Sequence, residues 1–153
     1  MPEHDNKVLD YKLVSPSVHI GFVPPNSYID TSVKVRIPCL LIGCPEVNDD
    51  QESTEINLQI TAIIYDPGFQ QKSKEDMHLQ IVPNFDGYIS LINILDTVKE
   101  WIQRNDGIDN MNLISPIKMR TYEEQPWPYW YGYLAFTVSG SPSPVTRYAD
   151  VLN

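Results

Sequence analysis

Two rhythms of apolar residues run along this chain. One stretch, residues 86–104 (DGYISLINILDTVKEWIQR), places Tyr88, Leu91, Ile92, Leu95, Val98 and Ile102 at steps of three and four. That spacing draws one stripe on a helix. Asp86 stands where an N-cap is expected, with a carboxylate to accept from the first free amides. Gly107 follows the last apolar turn and suits a left-handed close. At 1.5 Å per residue the rod is roughly 28 Å long, about the width of a small domain.

The other apolar stretches alternate and predict strands. Residues 17–23 carry Val18, Ile20 and Phe22 against His19 and Gly21. Residues 34–42 carry Val35, Ile37, Cys39 and Leu41 against Lys34 and Arg36. Pro38 in that run points to an edge or a bulge. In 55–65, Ile56, Leu58, Ile60, Ala62 and Ile64 oppose Asn57, Gln59, Thr61 and Tyr65, and Ile63 breaks the pattern. Residues 43–54 read as a polar loop, so 34–42 and 55–65 predict a hairpin. Residues 112–122 and 127–138 predict a second one across Glu123-Glu124-Gln125-Pro126. On 127–138, Trp130, Leu134, Phe136 and Val138 share one face; Tyr129, Tyr131, Tyr133 and Thr137 share the other. Residues 66–85 form a long connection with a short extended piece at 79–82.

The expected fold is therefore α+β: a mainly antiparallel sheet of two hairpins with one long helix (about 86–104) packed on one face. The 153 residues fit a single domain with an adequate core. Residues 1–16 carry a weak helical pattern through Val8, Leu9 and Leu13, and 139–153 read as a loop, so both ends are expected to be loosely held.

Charge narrows the function. The net charge of −9 argues against a phosphate-gripping surface, which needs clustered Lys and Arg. Glu46, Asp49, Asp50, Glu52 and Glu55 lie close together with no base among them. They read first as a solvated loop. Cys39 and Cys44 make no disulfide framework and no zinc site. His4, His19 and His78 lack metal-ligand spacing, and no nucleophile elbow or glycine-rich phosphate loop occurs. No catalytic residue, metal or cofactor is expected. No apolar run is long enough to span a membrane, and the N-terminus lacks an apolar signal core.

The sharpest local anomaly is Trp127, Tyr129, Trp130, Tyr131 and Tyr133 within seven residues. Three readings compete. The rings pack both faces of a strand, or they are buried against another chain, or they form an exposed, coplanar row for stacking on a sugar.

The succession VHIGFVPP (18–25), RIPCLLIGCPE (36–46), INLQITAIIYDPGF (56–69), DGYISLINILDTVKEWI (86–102) and PIKMRTYEEQPWPYWYGYLAFTV (116–138) resembles the tail terminator (tail completion) proteins of long-tailed bacteriophages and prophages. The order of elements carries the resemblance, over most of 18–138. It implies a small α+β subunit of a hexameric ring at the head-proximal end of the tail tube. Such a ring stops tube growth and offers the head-joining surface. The implied partners are other copies of the chain, the major tail tube protein and a head-completion or neck protein, with genome DNA passing through unbound. The place would be the host cytoplasm during assembly and then the virion tail. The family has no catalytic residues to carry over. On this reading Trp127, Tyr129, Tyr131 and Tyr133 are candidate partner contacts. Glu46, Asp49, Asp50, Glu52 and Glu55 are candidates for an acidic lumen. A neighbouring neck or connector protein and an aromatic-lined glycan-binding module are the alternatives.

Overall fold

The structure is a computed structural model that describes residues 15–21, 37–50, 52–66, 69–72, 79–82 and 85–142. Its strands are β1 (Ser17–Ile20), β2 (Cys39–Asp49), β3 (Thr54–Tyr65), β4 (Phe69–Lys72), β5 (Leu79–Val82), β6 (Gly107–Ile108), β7 (Met111–Leu113), β8 (Lys118–Thr121) and β9 (Tyr129–Gly140). The helix α1 spans Asp86–Arg104.

The two-hairpin sheet is not what forms. Seven strands make one curled half-barrel sheet, ordered β1-β2-β3-β9-β7-β6, with β8 also on β9. β4 and β5 make a separate antiparallel ribbon. β1 joins β2 in parallel, so the sheet is mixed. Alternation tells which face a residue takes, but it does not tell which strand lies alongside. The strongest pairing in the sheet joins strands far apart in sequence. β3 and β9 run antiparallel in unbroken register over twelve residues, from Thr54 opposite Gly140 to Tyr65 opposite Tyr129.

Four local expectations also change. Residues 43–49 are strand, not loop, because β2 continues through Glu46 and pairs with β3 out to Asp49 opposite Thr54. The register shifts between Gly43 and Glu46. Pro45 therefore sits in a bulge, where a strand tolerates a residue without an amide donor. The single strand expected over 112–122 is two, β7 and β8, both on β9. The helix N-cap position is Phe85, with no side-chain cap bond. Asp86 is the first helical residue, where its charge favours the positive end of the helix dipole. At the other end Asn105 Nδ2 donates to Trp101 O at 2.7 Å, and Asp106 (φ 52) and Gly107 (φ 139) turn the chain back. Residues 1–14, 22–36, 51, 67–68, 73–78, 83–84 and 143–153 lie outside the described set, and with them the weak N-terminal helix and Val35. Ser139 and Gly140, read as tail, belong to β9.

The core lies between α1 and one face of β3 and β9. Leu91, Leu95 and Ile102 from the helix meet Ile60, Ala62 and Ile64 from β3 and Leu134, Phe136 and Val138 from β9. Gly132 makes this approach possible. A Cβ there would come 2.9 Å from Leu95 Cδ1 and 3.1 Å from Arg120 O. Gly87 plays the same part beneath the indole of Trp130.

Leu95 is fully buried, so Leu95→Ala is expected to cost about 3 kcal/mol, from lost burial and the cavity left behind. Gly132→Val should match or exceed it by forcing the helix off the sheet. Urea unfolding measures both. A loss under about 1 kcal/mol for each would mean that α1 is not braced where the structure puts it.

Candidate functional site

The two candidate patches lie at opposite ends of the β3–β9 pair. Tyr65 and Tyr129 mark one end, and Thr54 and Gly140 the other. At about 3.3 Å per residue they stand roughly 36 Å apart.

At the first end, alternation puts Tyr129, Tyr131 and Tyr133 on the face of β9 turned away from α1. Ile63 pairs with Tyr131 and Cys39 pairs with Ile63. Cys39, Leu41 and Ile63 form a second small buried cluster against Tyr129 and Tyr131. Ile63 thus breaks the β3 alternation because this face has a core of its own. The rings meet edge-on or tilted. Tyr65 and Tyr129 stand 5.2 Å apart at 61°, Tyr122 and Tyr133 5.7 Å apart at 51°, and Tyr129 and Tyr131 6.5 Å apart at 59°. These rings offer no coplanar platform for a sugar to stack on.

Trp127 is not part of the row. It sits in the turn before β9, about half exposed. There Trp127 N donates to Gln125 O at 2.8 Å, and Tyr129 N to Pro126 O at 3.0 Å. Gln125 organises this turn. Its amide nitrogen donates to Tyr122 O (2.8 Å) and Tyr131 O (2.9 Å), and its amide oxygen accepts from Tyr131 N at 2.6 Å. Tyr122, Glu124, Gln125, Pro126 and Tyr131 border an open depression of about 430 Å³. Sequence reasoning missed Gln125, Tyr65 and Tyr122 as members of this patch. The strand pairing brings Tyr65 alongside Tyr129, and nothing local signals it. Trp130 faces the other way. It donates to Asp66 O at 3.2 Å and meets Tyr88 edge-on.

At the second end, the five carboxylates gather on the β2–β3 hairpin, and three of them build it. Asn57 Nδ2 donates to Glu46 Oε2 at 2.8 Å, while Thr137 Oγ1 donates to Asn57 Oδ1 at 2.6 Å. This chain of bonds crosses β9, β3 and β2. Asp49 Oδ1 accepts from the hydroxyl of buried Thr54 at 2.6 Å. Asp50 Oδ1 accepts from the amides of Glu52 (2.7 Å) and Ser53 (2.6 Å) and so closes the tip. Those amides, Ser53 first, hold the Asp50 carboxyl below its ordinary value. Glu52 and Glu55 are exposed. Asp49, Asp50, Ser53 and Glu55, with Val47 and Asn48, border a polar depression of about 470 Å³. Among the described residues both ion pairs, Lys99–Asp96 and Arg104–Glu100, lie on α1 and leave this charge uncompensated. No group of three or more His, Cys, Asp or Glu among them is placed to hold a metal ion. No helix among them is long and apolar enough to cross a membrane.

Burial pushes the Cys39 thiol up, and burial also raises the Tyr131 phenol, with smaller contributions from Tyr129 and Cys39. Neither a scan against protein-family models nor a search of characterised proteins finds a match to the chain.

Two outcomes follow from this geometry. At pH 8, alkylation followed by intact mass should add one label quickly, at exposed Cys44, and a second, at Cys39, only on unfolding. Rapid double labelling would mean that the Tyr129–Tyr131 cluster does not cover Cys39. For Asp50, a lowered folded pKa means that its contribution is present above the ordinary carboxylate range and is lost as pH falls through the lowered value. An NMR titration should place Asp50 below the ordinary carboxylate range, and Ser53→Pro should move it back up. A midpoint that Ser53→Pro leaves unchanged would mean that the Ser53 amide does not hold the carboxyl down.

Proposed function

We propose that the chain is a ring-forming subunit of a phage tail, the terminator that caps the tail tube and presents the surface for joining the head. The observation that carries this reading is the separation of unlike surfaces on one rigid ladder. Carboxylates that no ion pair among the described residues compensates occupy one end of β3–β9, and half-exposed aromatic rings the other. A subunit that joins copies of itself and also adjoining proteins needs distinct contact surfaces of this kind. Tyr and Trp are suited to such contacts, since each buries a large ring while keeping a polar atom wet.

The acidic tip gains a role from the same arrangement. Copies of the β2–β3 hairpin around a central channel would set a negative collar beside the path of the genome. Phosphate is repelled there, so DNA passes without being held. Other copies of the chain, the tail tube protein and a head-completion or neck protein are the partners on this reading. No cofactor and no reaction enter it. The resemblance in element order and the segregation of charge from aromatic surface support it together.

Native mass spectrometry over a range of concentrations, with electron microscopy of the chain added to purified tail tubes, tests the reading. Six-membered rings, free or seated on tube ends, are the expected result. A chain that stays monomeric at high concentration and does not bind tube ends would end it. Glu52→Lys with Glu55→Lys should leave the ring intact and retard DNA passage, read as slower genome release from assembled particles. A ring that carries these carboxylates on its outer rim would remove the collar while leaving the cap.

A further inference from the structure

We propose that the sheet face turned away from α1 carries a docking groove for an extended acidic segment of an adjoining protein, with carboxylates at alternate positions. The proposal deepens the reading above and takes from it only that another tail or neck protein seats on this chain.

Neighbouring strands and two prolines build the groove. Gln59, Ala135 and Lys118 stand in one row across β3, β9 and β8. Met119 opposes Leu134, a core residue beneath α1, so Lys118 and Arg120 on either side of it take the opposite face. Ala135 puts only a methyl group between Gln59 and Lys118, and the floor is low there. Pro45, in the β2 bulge, stands on one side, and Pro116, two residues before β8, on the other. Together they border an open depression of about 250 Å³.

Hydrogen-bonding capacity is left over at this spot. Asn57 and Thr137 are committed: Asn57 bonds Glu46 and Thr137, and the Thr137 amide donates to Ser115 Oγ at 2.7 Å. Three groups keep unused capacity among the described residues. Gln59 spends only its amide nitrogen, on Thr61 Oγ1 at 3.3 Å, so its amide oxygen is open to an N–H. Ser115 accepts but does not donate, so its hydroxyl hydrogen is open to a carbonyl. Lys118 makes no ion pair, and neither does Arg120; both are exposed.

These groups match what a peptide offers: an amide N–H, a carbonyl and an acidic side chain. Charge sets the sign. In a chain of net charge −9, Lys118 and Arg120 are cations that no carboxylate among the described residues pairs. Spacing sets the pattern. Residues two apart on a strand share a face and lie roughly 7 Å apart. Lys118 and Arg120 therefore meet carboxylates carried at alternate positions of an extended partner. An open depression covers only one side of such a segment, which suits a strand held in place by contacts elsewhere on its own protein.

The test uses the full chain, isotope-labelled for NMR, and two capped hexapeptides. One carries glutamates at two alternate positions and the other glutamines there. At low salt the glutamate peptide should shift the amide signals of Gln59, Ser115, Lys118 and Ala135, and bind about threefold or more tighter than the glutamine peptide. The preference should fade in high salt. Lys118→Gln with Arg120→Gln should abolish it, and Lys118→Glu with Arg120→Glu should reverse it toward a peptide with lysines at the two positions. Unchanged signals elsewhere in each spectrum show that the variants fold. Equal binding of the two peptides, shifts away from the groove, or a preference that survives Lys118→Gln with Arg120→Gln overturns the proposal. The same shifts produced by raising the concentration of the chain alone, and lost in Glu52→Lys with Glu55→Lys, would put a second copy's hairpin in the groove and overturn it as well. Rings on tube ends without peptide binding would leave the tail reading standing and the groove wrong. Peptide binding by a chain that never assembles would do the reverse.

Discussion

The ladder between β3 and β9 is the constraint on which the molecule depends. Its twelve paired residues satisfy the backbone along one side of each strand and fix which side chains face α1. Every other strand of the main sheet attaches to it: β2 and, through it, β1 to one side, and β8 and β7, with β6 beyond, to the other. The partners are separated by about half the chain, so the ladder must offset a sizeable loop-closure entropy before it stabilises anything. It does so by burying apolar surface on both faces at once.

The two faces are used unequally. Toward α1 lies the larger core, where Leu91 and Leu95 settle over Gly132. Away from α1 lies the smaller cluster of Cys39, Leu41 and Ile63 under Tyr129 and Tyr131. A sheet with one covered and one wet face would alternate cleanly, and Ile63 marks where this one does not. The aromatic row is therefore partly a structural element. Tyr129 and Tyr131 seal an internal cluster with one side of their rings, and only what remains is open to a partner.

The carboxylates show the same double use. Glu46, Asp49 and Asp50 are committed to bonds that hold the hairpin together. Their charge persists after those bonds form, and Glu52 and Glu55 add to it. A field set up by groups the fold already needs can act at a distance without a dedicated site. Such a molecule would act through shape and charge, with its edges and ends as the working surfaces.

The residues of the helix and the facing of β3 and β9 follow from local periodicity, since a stripe at 3.6 and an alternation at 2 are properties of the chain itself. Ile60, Ala62, Ile64, Leu134, Phe136 and Val138 could be assigned to one core from that alone. The acidic charge was equally plain in the sequence. Tertiary structure decided the rest. Residues 43–49 read as loop because charged residues are depleted in strands, yet pairing with β3 extends β2 through them. Asp86 reads as a cap, but the chain enters the helix one residue earlier. Tyr65 and Gln125 join the aromatic patch only through strand register and the turn before β9. That β3 and β9 lie side by side is a relation between strands about half the chain apart. No local pattern encodes it, because period fixes a face and only pairing fixes a neighbour.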